Sequence, residues 1–242
     1  MAPQPRSYRS QGVVLRTYKL GEADRIVVML TEEHGKVRAV AKGVRKTRSR
    51  LGNRLEPTSH VRVQLYAGRG DLQTITQTET IEGFPALRDD LDRLMAASAM
   101  LEVVDHMSLE GEPNPDMYKM LVGALRTVAG EHPPLTVAGF FWKLLALEGF
   151  APMVDQCISC GATEELEMFD LNDGGVRCSG CRAGRPISPE ALQIINMMIS
   201  GQLGAALALP MGAASHEVNT LAAAAVEHHV ERRLKSLAIL RG

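Results

Sequence analysis

The sequence of 242 residues predicts an α+β protein in which a small β-barrel is followed by an all-α domain. Three observations predict this order. Short alternating strands fill roughly the first 80 residues, helical spacing of apolar residues begins near residue 84, and four cysteines interrupt the helical part. The length suffices for two domains with separate cores. We place them at residues 1–82 and 83–242, with an insertion at residues 153–185 that contains the four cysteines.

Five short strands are predicted in the first domain. Each lies between glycine-containing or polar turns and has alternating or continuous apolar character. The strands are Val13–Tyr18, Arg25–Thr31, Lys36–Ala41, Val61–Tyr66 and Leu72–Thr76. The longest connection lies between the third and the fourth strand, which matches a five-stranded barrel of the oligonucleotide-binding (OB) type. An SH3-like barrel would give almost the same pattern, and periodicity alone does not separate the two.

Helices are predicted from Phe84 onward, because apolar residues then recur at steps of three and four. Ser188 followed by Pro189 is a typical helix start, with an N-cap residue and a proline in the first turn. The expected helices cover approximately residues 84–107, 117–128, 136–147, 189–200 and 215–240. The cysteines lie between the third and fourth of these helices, so their segment is an insertion in a helical domain.

The four cysteines give the most specific signal in the chain. They form two pairs, Cys157-x-x-Cys160 and Cys178-x-x-Cys181, with seventeen residues between the pairs. This is the spacing of a closed tetrathiolate zinc knuckle or ribbon, in which each sulfur lies about 2.3 Å from one ion. No thiol is left as a nucleophile and no ligand position stays open for a reacting water. We therefore expect a structural Zn²⁺ held by all four cysteines.

The net charge of −1 conceals a strong asymmetry between the two parts of the chain. Residues 1–80 hold 15 Lys and Arg against 7 Asp and Glu, a net charge of +8, whereas residues 81–242 have a net charge of −9. The basic part favours a polyanionic partner. Eight cations and no acid lie in residues 36–54, where phosphates would relieve their mutual repulsion. These candidate nucleic-acid contacts are Lys36, Arg38, Lys42, Arg45, Lys46, Arg48, Arg50 and Arg54.

Aromatic residues could add base stacking to these phosphate contacts, as in other single-strand binders with an OB-type barrel. The barrel offers Tyr8, Tyr18 and Tyr66, and the sequence does not separate stacking residues from core residues among them. Motifs of nucleotide binding, serine hydrolysis, zinc hydrolysis and zinc-dependent deamination are absent from the sequence, so we expect no enzymatic activity. No run of about 18 apolar residues occurs, so we expect no membrane span and a cytoplasmic location.

Several short motifs of the barrel region stand in a characteristic order. They are Gly12–Leu15, Gly21-Glu22-x-Asp24-Arg25-Ile26, Thr31-x-x-x-Gly35-Lys36, Ala41–Lys46, Ser49–Leu51 and Leu55–Pro57. Their order and spacing resemble the amino-terminal domain of the RecO family of bacterial DNA repair proteins. Residues 140–161 (FFWKLLALEGFAPMVDQCISCG) and 233–237 also resemble the helical domain and the carboxyl-terminal helix of that family. The resemblance covers most of the chain and is strongest over residues 12–57 and 140–161.

The resemblance implies a role in recombinational repair: binding and annealing single-stranded DNA, and helping a recombinase to displace single-strand-binding protein, usually with the partner RecR. It implies a location in the bacterial cytoplasm, at the nucleoid during repair. By position it places DNA contact on Lys42, Arg45, Lys46 and Arg50, and Arg48 joins them by charge. The family's contact with the acidic tail of single-strand-binding protein lies in the helical domain, where Lys119, Arg126 and Lys143 are the available cations.

Asp24 and Arg25 are interpreted as a structural pair that fixes the turn between the first two strands. Double-stranded DNA stays open as a second ligand, and Arg177, Arg182 and Arg185 could bring the cysteine segment to DNA. The alternative function is a zinc-ribbon transcription or translation factor whose barrel binds RNA, since RNA offers the same phosphates and differs at its 2′-hydroxyl.

Overall fold

The computed structural model describes residues 7–45, 52–68, 70 and 72–240. By internal contacts the chain divides into two compact units, Met1–Ala129 and Gly130–Gly242, called unit 1 and unit 2 below. The last barrel strand ends at Glu82, and the helices that follow it up to Ala129 belong to unit 1. The domain ranges 1–82 and 83–242 stay a prediction from the sequence.

Unit 1 contains a closed five-stranded barrel, which confirms the predicted OB-type barrel. The strands are β1 (Ser7–Leu20), β2 (Asp24–Thr31), β3 (Gly35–Ala41), β4 (His60–Tyr66) and β5 (Gln73–Glu82). Their order around the barrel is β1-β2-β3-β5-β4, and only β3 and β5 pair in parallel. Strands β1 and β5 are longer than predicted, because their polar ends are held by pairing with β4 rather than by an apolar pattern.

Aliphatic side chains from all five strands fill the barrel interior. In β3 the burial alternates residue by residue, as the period of two in an extended strand requires. The interior cluster consists of Val14, Val27, Met29, Val37, Ala39, Ala41, Val44, Leu55, Val61, Val63, Leu65 and Ile75, with Tyr8 packed against it.

Three helices complete unit 1: α1 (Ala86–Asp89), α2 (Leu91–Met107) and α3 (Pro115–Ala129). The prediction of one long first helix was wrong, because Asp90 is extended and starts a new helix by accepting a hydrogen bond from the Arg93 amide at 3.0 Å. Helix α2 packs against β1, and α3 packs against both β1 and β2. On the outer face of those strands Val13, Val28 and Leu30 are therefore fully buried although they point away from the barrel interior.

Unit 2 is helical, with the cysteine segment inserted between its first two helices as predicted. The helices are α4 (Thr136–Leu147), α5 (Pro189–Ile199), α6 (Leu203–Leu207), α7 (Ala213–His229) and α8 (Lys235–Leu240). Helix α6 was not predicted, and the single last helix expected from 215 to 240 is two helices. The break follows Val230, where Glu231 has a positive φ of 50° and the Glu227 carboxylate accepts from the Leu234 amide at 3.0 Å.

The cysteine segment forms a small sheet that the sequence did not predict. Its strands are β6 (Leu166–Asp170), β7 (Gly175–Cys178) and β8 (Arg185–Pro186), in the order β7-β6-β8. They are too short for a period of two to be recognised. Across the ranges that the structure describes, no helix combines the length and the apolar character needed to cross a membrane.

Candidate metal centre and nucleic-acid interface

The two cysteine pairs meet in unit 2. One sulfur from each of Cys157, Cys160, Cys178 and Cys181 contributes to a cluster whose ligand atoms all lie within 4.8 Å of one another. The Sγ atoms of Cys160 and Cys178 are 3.6 Å apart. Four sulfurs in a tetrahedron at about 2.3 Å from one ion would be about 3.8 Å apart, so the observed spacing fits a shared ion. Within the described residues no other group of three or more His, Cys, Asp or Glu side chains is arranged in this way.

Backbone hydrogen bonds shape each cysteine pair into a turn. The Gly161 amide donates to the Cys157 carbonyl at 2.8 Å, and the Cys181 amide donates to the Cys178 carbonyl at 3.0 Å. Gly161 has a φ of +78°, a conformation that glycine adopts without strain. The first turn is tied to the small sheet because the Ile158 amide donates to the Val176 carbonyl of β7 at 2.9 Å. Backbone hydrogen bonds of the sheet therefore hold the two pairs in register.

The electrostatics of the four thiols also favour a cation. Backbone amides, chiefly that of Cys178, lower the pKa of the Cys157 thiol to about 6. The Ala162 amide lowers the pKa of Cys160, but hydrogen bonds to the other three cysteines outweigh it and raise that pKa to about 11. One thiolate therefore suppresses the ionisation of a neighbour, and a divalent ion would relieve this repulsion. These four cysteines could hold a metal ion.

The three arginines of the cysteine segment differ in their surroundings. Arg177 is only 18% exposed, and its guanidinium contacts Asp170 at 3.1 Å and also Asp173. Arg182 is mostly exposed, with Glu167 at 3.9 Å, and Arg185 lies exposed on the edge strand β8. Arg177 thus supports the β6–β7 hairpin, while the other two guanidinium groups face solvent.

The predicted DNA-binding cations fall into three groups. Lys46, Arg48 and Arg50 lie outside the described residues. Lys36 and Arg38 lie on β3 beside acidic residues of unit 1. The Lys36 ammonium is 2.5 Å from the carbonyl oxygen of Asp105 and 3.6 Å from its carboxylate, and the Arg38 guanidinium is 3.7 Å from Glu110. Much of the positive charge of this second group is therefore balanced within the protein.

The third group, Lys42, Arg45 and Arg54, is exposed and forms no ion pair within the described ranges. Arg45 donates from its side chain to the Gly21 carbonyl at 3.1 Å, and Arg54 donates to the Thr78 carbonyl at 3.0 Å. Carbonyl groups orient these guanidinium groups but leave their charge uncompensated. The third group is therefore the part of the described surface that is best suited to bind phosphates.

The turn between β1 and β2 fixes the start of the basic segment. Asp24 accepts a hydrogen bond from the Gly43 amide at 2.7 Å, and the Arg45 amide donates to the Ala23 carbonyl at 2.9 Å. Arg25 forms an ion pair with Glu56 at 2.5 Å. Asp24 and Arg25 thus both have structural roles at this turn, and their partners are Gly43 and Glu56 rather than each other. Each of them ties the turn to a different segment of the chain.

Sequence reasoning did not identify Arg16, which lies on the outer face of β1. Its Nε atom is 2.6 Å from the buried carboxylate of Asp105, and its guanidinium lies 4.9 Å from the centroid of the Tyr18 ring. Arg16 lies outside the run of cations at residues 36–54, so charge clustering gave no signal for it. Arg16 pairs with Val28 of β2, and Val28 pairs with Arg38 of β3, so strand pairing places Arg16 near that run.

The structure also separates the three tyrosines of the barrel. Tyr8 packs against the barrel interior and donates to the Gln73 side chain at 2.6 Å, and burial raises its pKa. Tyr18 and Tyr66 are exposed, at 41% and 40%. Only these two rings are open enough to contact a ligand.

The three cations available for contact with the acidic tail of single-strand-binding protein differ in their ion pairing. Arg126 forms a two-fold contact with Glu82 at 2.9 Å, whereas Lys119 and Lys143 form no ion pair among the described residues.

Known proteins match the chain along nearly its whole length. The family models described as the N-terminal and C-terminal parts of Recombination protein O match residues 5–84 and 88–238. A DNA repair protein RecO of Nocardioides sp. is 45% identical over 241 residues, which cover 96% of this chain and 98% of that protein. Proteins of the same name from Streptomyces coelicolor and Streptomyces griseus are 43% identical, over 95% of this chain and 97% of each relative.

Proposed function

We propose, from the premise that this chain belongs to the RecO family of DNA repair proteins, that it binds single-stranded DNA and anneals complementary strands. The observation that carries the proposal is the group of exposed cations, Lys42, Arg45 and Arg54, on a barrel of the OB type. Residues 1–80 have a net charge of +8, so the cations act in a basic field that attracts polyanions. Lys36, Arg38, Lys46, Arg48 and Arg50 complete the proposed DNA-binding set.

Annealing follows from binding that is dominated by phosphate contacts. Two complementary strands repel each other through their phosphates, and a cationic surface screens this repulsion. Contacts to phosphate leave most Watson–Crick edges free to pair. Each contacted phosphate contributes about 0.7 to the slope of log affinity against log salt on a single strand. The proposed activity therefore needs no covalent chemistry, and we propose that the protein is not an enzyme.

The proposed partners follow the family. They are single-stranded DNA, a RecR-type mediator protein and the acidic tail of single-strand-binding protein, and the process is recombinase loading on covered DNA. A cytoplasmic location, at the nucleoid during repair, belongs to the same proposal. DNA and an acidic protein tail would both be attracted by cations that have no acidic partner within the protein.

We further propose that the bound ion is Zn²⁺ and that its role is structural. Cys157, Cys160, Cys178 and Cys181 would supply four thiolates, which is the ligand set of closed zinc sites, and would leave no position for a reacting water. When bound, the ion supplies cohesion to a segment that has few buried apolar residues. The chain's own contribution is to orient the sulfurs through the backbone hydrogen bonds of the two turns.

Fluorescence annealing of complementary oligonucleotides tests the proposed function. The purified protein should accelerate pairing of two labelled strands, with and without bound single-strand-binding protein, and the acceleration should weaken as salt rises. A matched measurement with RNA strands of the same sequence separates DNA repair from the RNA-binding alternative, which predicts a preference for RNA. Absence of binding to DNA even in dilute salt would contradict the proposal.

A further inference from the structure

We infer that Tyr18, with Arg16 beside it, forms a platform on the outer face of the barrel that stacks an unpaired nucleobase of the bound strand. This inference rests on the proposed function, since the same strand is held by the neighbouring cations. With this platform, the surface would contact a base as well as phosphates. Stacking of this kind is tolerant of sequence, because every base has a π face.

A β-bulge in β1 places both side chains outside the barrel. Val14 pairs with Met29 and Arg16 pairs with Val28, so Leu15 is an extra residue in β1. Val14 belongs to the barrel interior, and a regular strand with a period of two would direct Arg16 and Tyr18 to the same side. The bulge shifts this alternation by one residue and turns both side chains outward. A large aromatic ring is thereby exposed at 41% instead of being buried in the core.

The ring of Tyr18 lies at the open end of the outer face. Tyr18 pairs with Ile26 of β2, and Ile26 pairs with Val40 of β3, so the three side chains form one row across the sheet. In the rows that α2 and α3 cover, Val13 and Val28 are fully buried. Ile26 and Val40 are only partly buried. The Tyr18 ring is therefore flanked by the partly exposed aliphatic side chains of Ile26 and Val40. Such an apolar surface can contact the flat face of a base.

Arg16 is held in position over this ring. Its guanidinium lies 4.9 Å from the ring centroid, a distance that allows a cation–π interaction. Asp105, which is 6% exposed, contacts the Nε atom at 2.6 Å and so fixes the direction of the side chain. Arg16 itself is 49% exposed. Asp105 is thus a positioning residue, and the guanidinium plane and the phenol ring together present flat groups to solvent.

Cations lie on both sides of the ring along the strands. Arg16 and Arg38 both pair with Val28, one row from Tyr18. On the other side the chain enters the turn at Gly21, whose carbonyl accepts from the Arg45 side chain at 3.1 Å. A strand that crosses this surface would meet guanidinium groups on both sides of the base platform, and of these Arg45 has no acidic partner within the described ranges. The exposed part of the basic segment and the ring therefore belong to one surface.

Tyr66 provides a natural control for Tyr18. It is exposed to the same extent, 40%, but it pairs with Ser7 and Thr74 rather than with apolar residues. In the described part of the chain no cation lies over its ring. The platform hypothesis therefore assigns base stacking to Tyr18 and not to Tyr66, although both rings are open to solvent.

A tryptophan placed at each position would report stacking directly. The one native tryptophan, Trp142, is buried in unit 2 and gives a constant background. We expect an oligothymidylate to quench the added emission of Tyr18→Trp, and to leave that of Tyr66→Trp nearly unchanged. An abasic oligonucleotide of the same length should bind Tyr18→Trp through its phosphates without quenching it. Equal quenching by the abasic strand, or none by the oligothymidylate once it is bound, would overturn the inference.

Affinity measurements separate the platform from the proposed function. Tyr18→Leu should bind oligothymidylate about 5- to 150-fold more weakly, the range expected for loss of one base stack. Its affinity for the abasic strand and its salt slope should stay those of the parent, and Tyr18→Phe should retain tight binding. Tyr66→Leu is the matched control. If the parent binds neither strand, the proposed function fails. If Tyr18→Leu binds both strands as the parent does, only the platform fails.

Discussion

The barrel and the cysteine segment are held together by different kinds of interaction. The barrel interior is a continuous cluster of twelve buried aliphatic residues contributed by all five strands and the segments next to them. In residues 153–185 the buried apolar side chains are only Val154, Phe169 and Val176, together with the two ligands Cys157 and Cys178. The barrel therefore has a hydrophobic core of its own, whereas the cysteine segment has little apolar core, and we expect it to depend on an ion bound by its thiols.

The difference bears on function, because the proposed DNA contacts lie in the barrel. Loss of the ion should open the cysteine segment while the barrel and its exposed cations persist. Single-strand binding and metal content are then separable properties of one chain.

Removal of one metal ligand should have the largest effect. Cys178→Ser leaves three thiolates, and since binding energy at such sites is largely folding energy, residues 153–185 should lose protection. We expect loss of stoichiometric metal and rapid cleavage in this segment under limited proteolysis, with unchanged binding of single-stranded DNA. Ser179→Ala, at the adjacent residue, is the control and should keep the metal. A Cys178→Ser protein that holds metal as tightly and resists protease as well as the parent would contradict the tetrathiolate assignment.

A cavity in the barrel should give the opposite pattern. Leu65 is fully buried, so Leu65→Ala should destabilise unit 1 by about 2–5 kcal/mol. Hydrogen exchange should become faster in the barrel strands, while the metal content of the protein stays that of the parent. Leu20→Ala, at a residue 37% exposed, should change exchange little. Loss of metal from Leu65→Ala would show that the two regions depend on each other.

Removal of the Asp24 carboxylate should loosen the start of the basic segment. The Gly43 amide would lose its acceptor, at a cost of about 1 kcal/mol for a hydrogen bond to a charged group that is partly exposed. We expect Asp24→Ala to bind single-stranded DNA a few-fold more weakly with the same salt slope, because its cations remain. Glu22 lies exposed in the same turn, so Glu22→Ala is the control for removal of one negative charge. Tighter binding by both variants would mean that removal of negative charge matters more than the turn.

The smallest effect concerns pH and appears only in alkaline solution. His60 lies between Tyr118 and Glu82, with 2.7 Å to the Tyr118 hydroxyl, and burial raises the pKa of Tyr118 to about 12. The unfolded chain releases this proton near pH 10 and the folded chain keeps it. The contribution of the protonated Tyr118 side chain to the free energy of unfolding is therefore complete below pH 10, and it is lost as the pH rises towards 12. Unfolding free energies of the parent and Tyr118→Phe should differ by a constant below pH 10 and converge above it. A constant difference up to pH 12 would exclude this linkage.

Much of the fold could be predicted because apolar residues encode it. Strands β2 and β3 and helix α4 lie where their periodicity places them, to within one residue. The helix break at Asp90 was missed because the apolar spacing continues across it, and only the extended backbone of that residue interrupts the helix. The small sheet of the cysteine segment was missed because its strands, of two to five residues, are too short for an alternating apolar pattern to be recognised.

The cysteine cluster and the basic surface of the barrel also differ in how far the sequence predicts them. The cysteine cluster could be predicted from spacing alone, because two residues between ligands impose a local turn. The partners of Lys36 and Arg38 could not, since Asp105 and Glu110 are about 70 residues away in sequence and reach them only through packing. The outward direction of Arg16 and Tyr18 depends on one extra residue at Leu15, and a bulge of one residue leaves no mark in composition or charge.

The salt dependence of single-strand affinity tests the central claim most directly. Lys42 and Arg45 are exposed, and their replacement by Gln removes two charges without adding repulsion. We expect the slope of log affinity against log salt to flatten by about 1.4, from two phosphate contacts of about 0.7 each. Arg232→Gln with Arg233→Gln, an exposed pair in unit 2, should leave the slope unchanged. An unchanged slope in the Lys42 and Arg45 variant, or an equal loss in both variants, would contradict phosphate binding by the barrel.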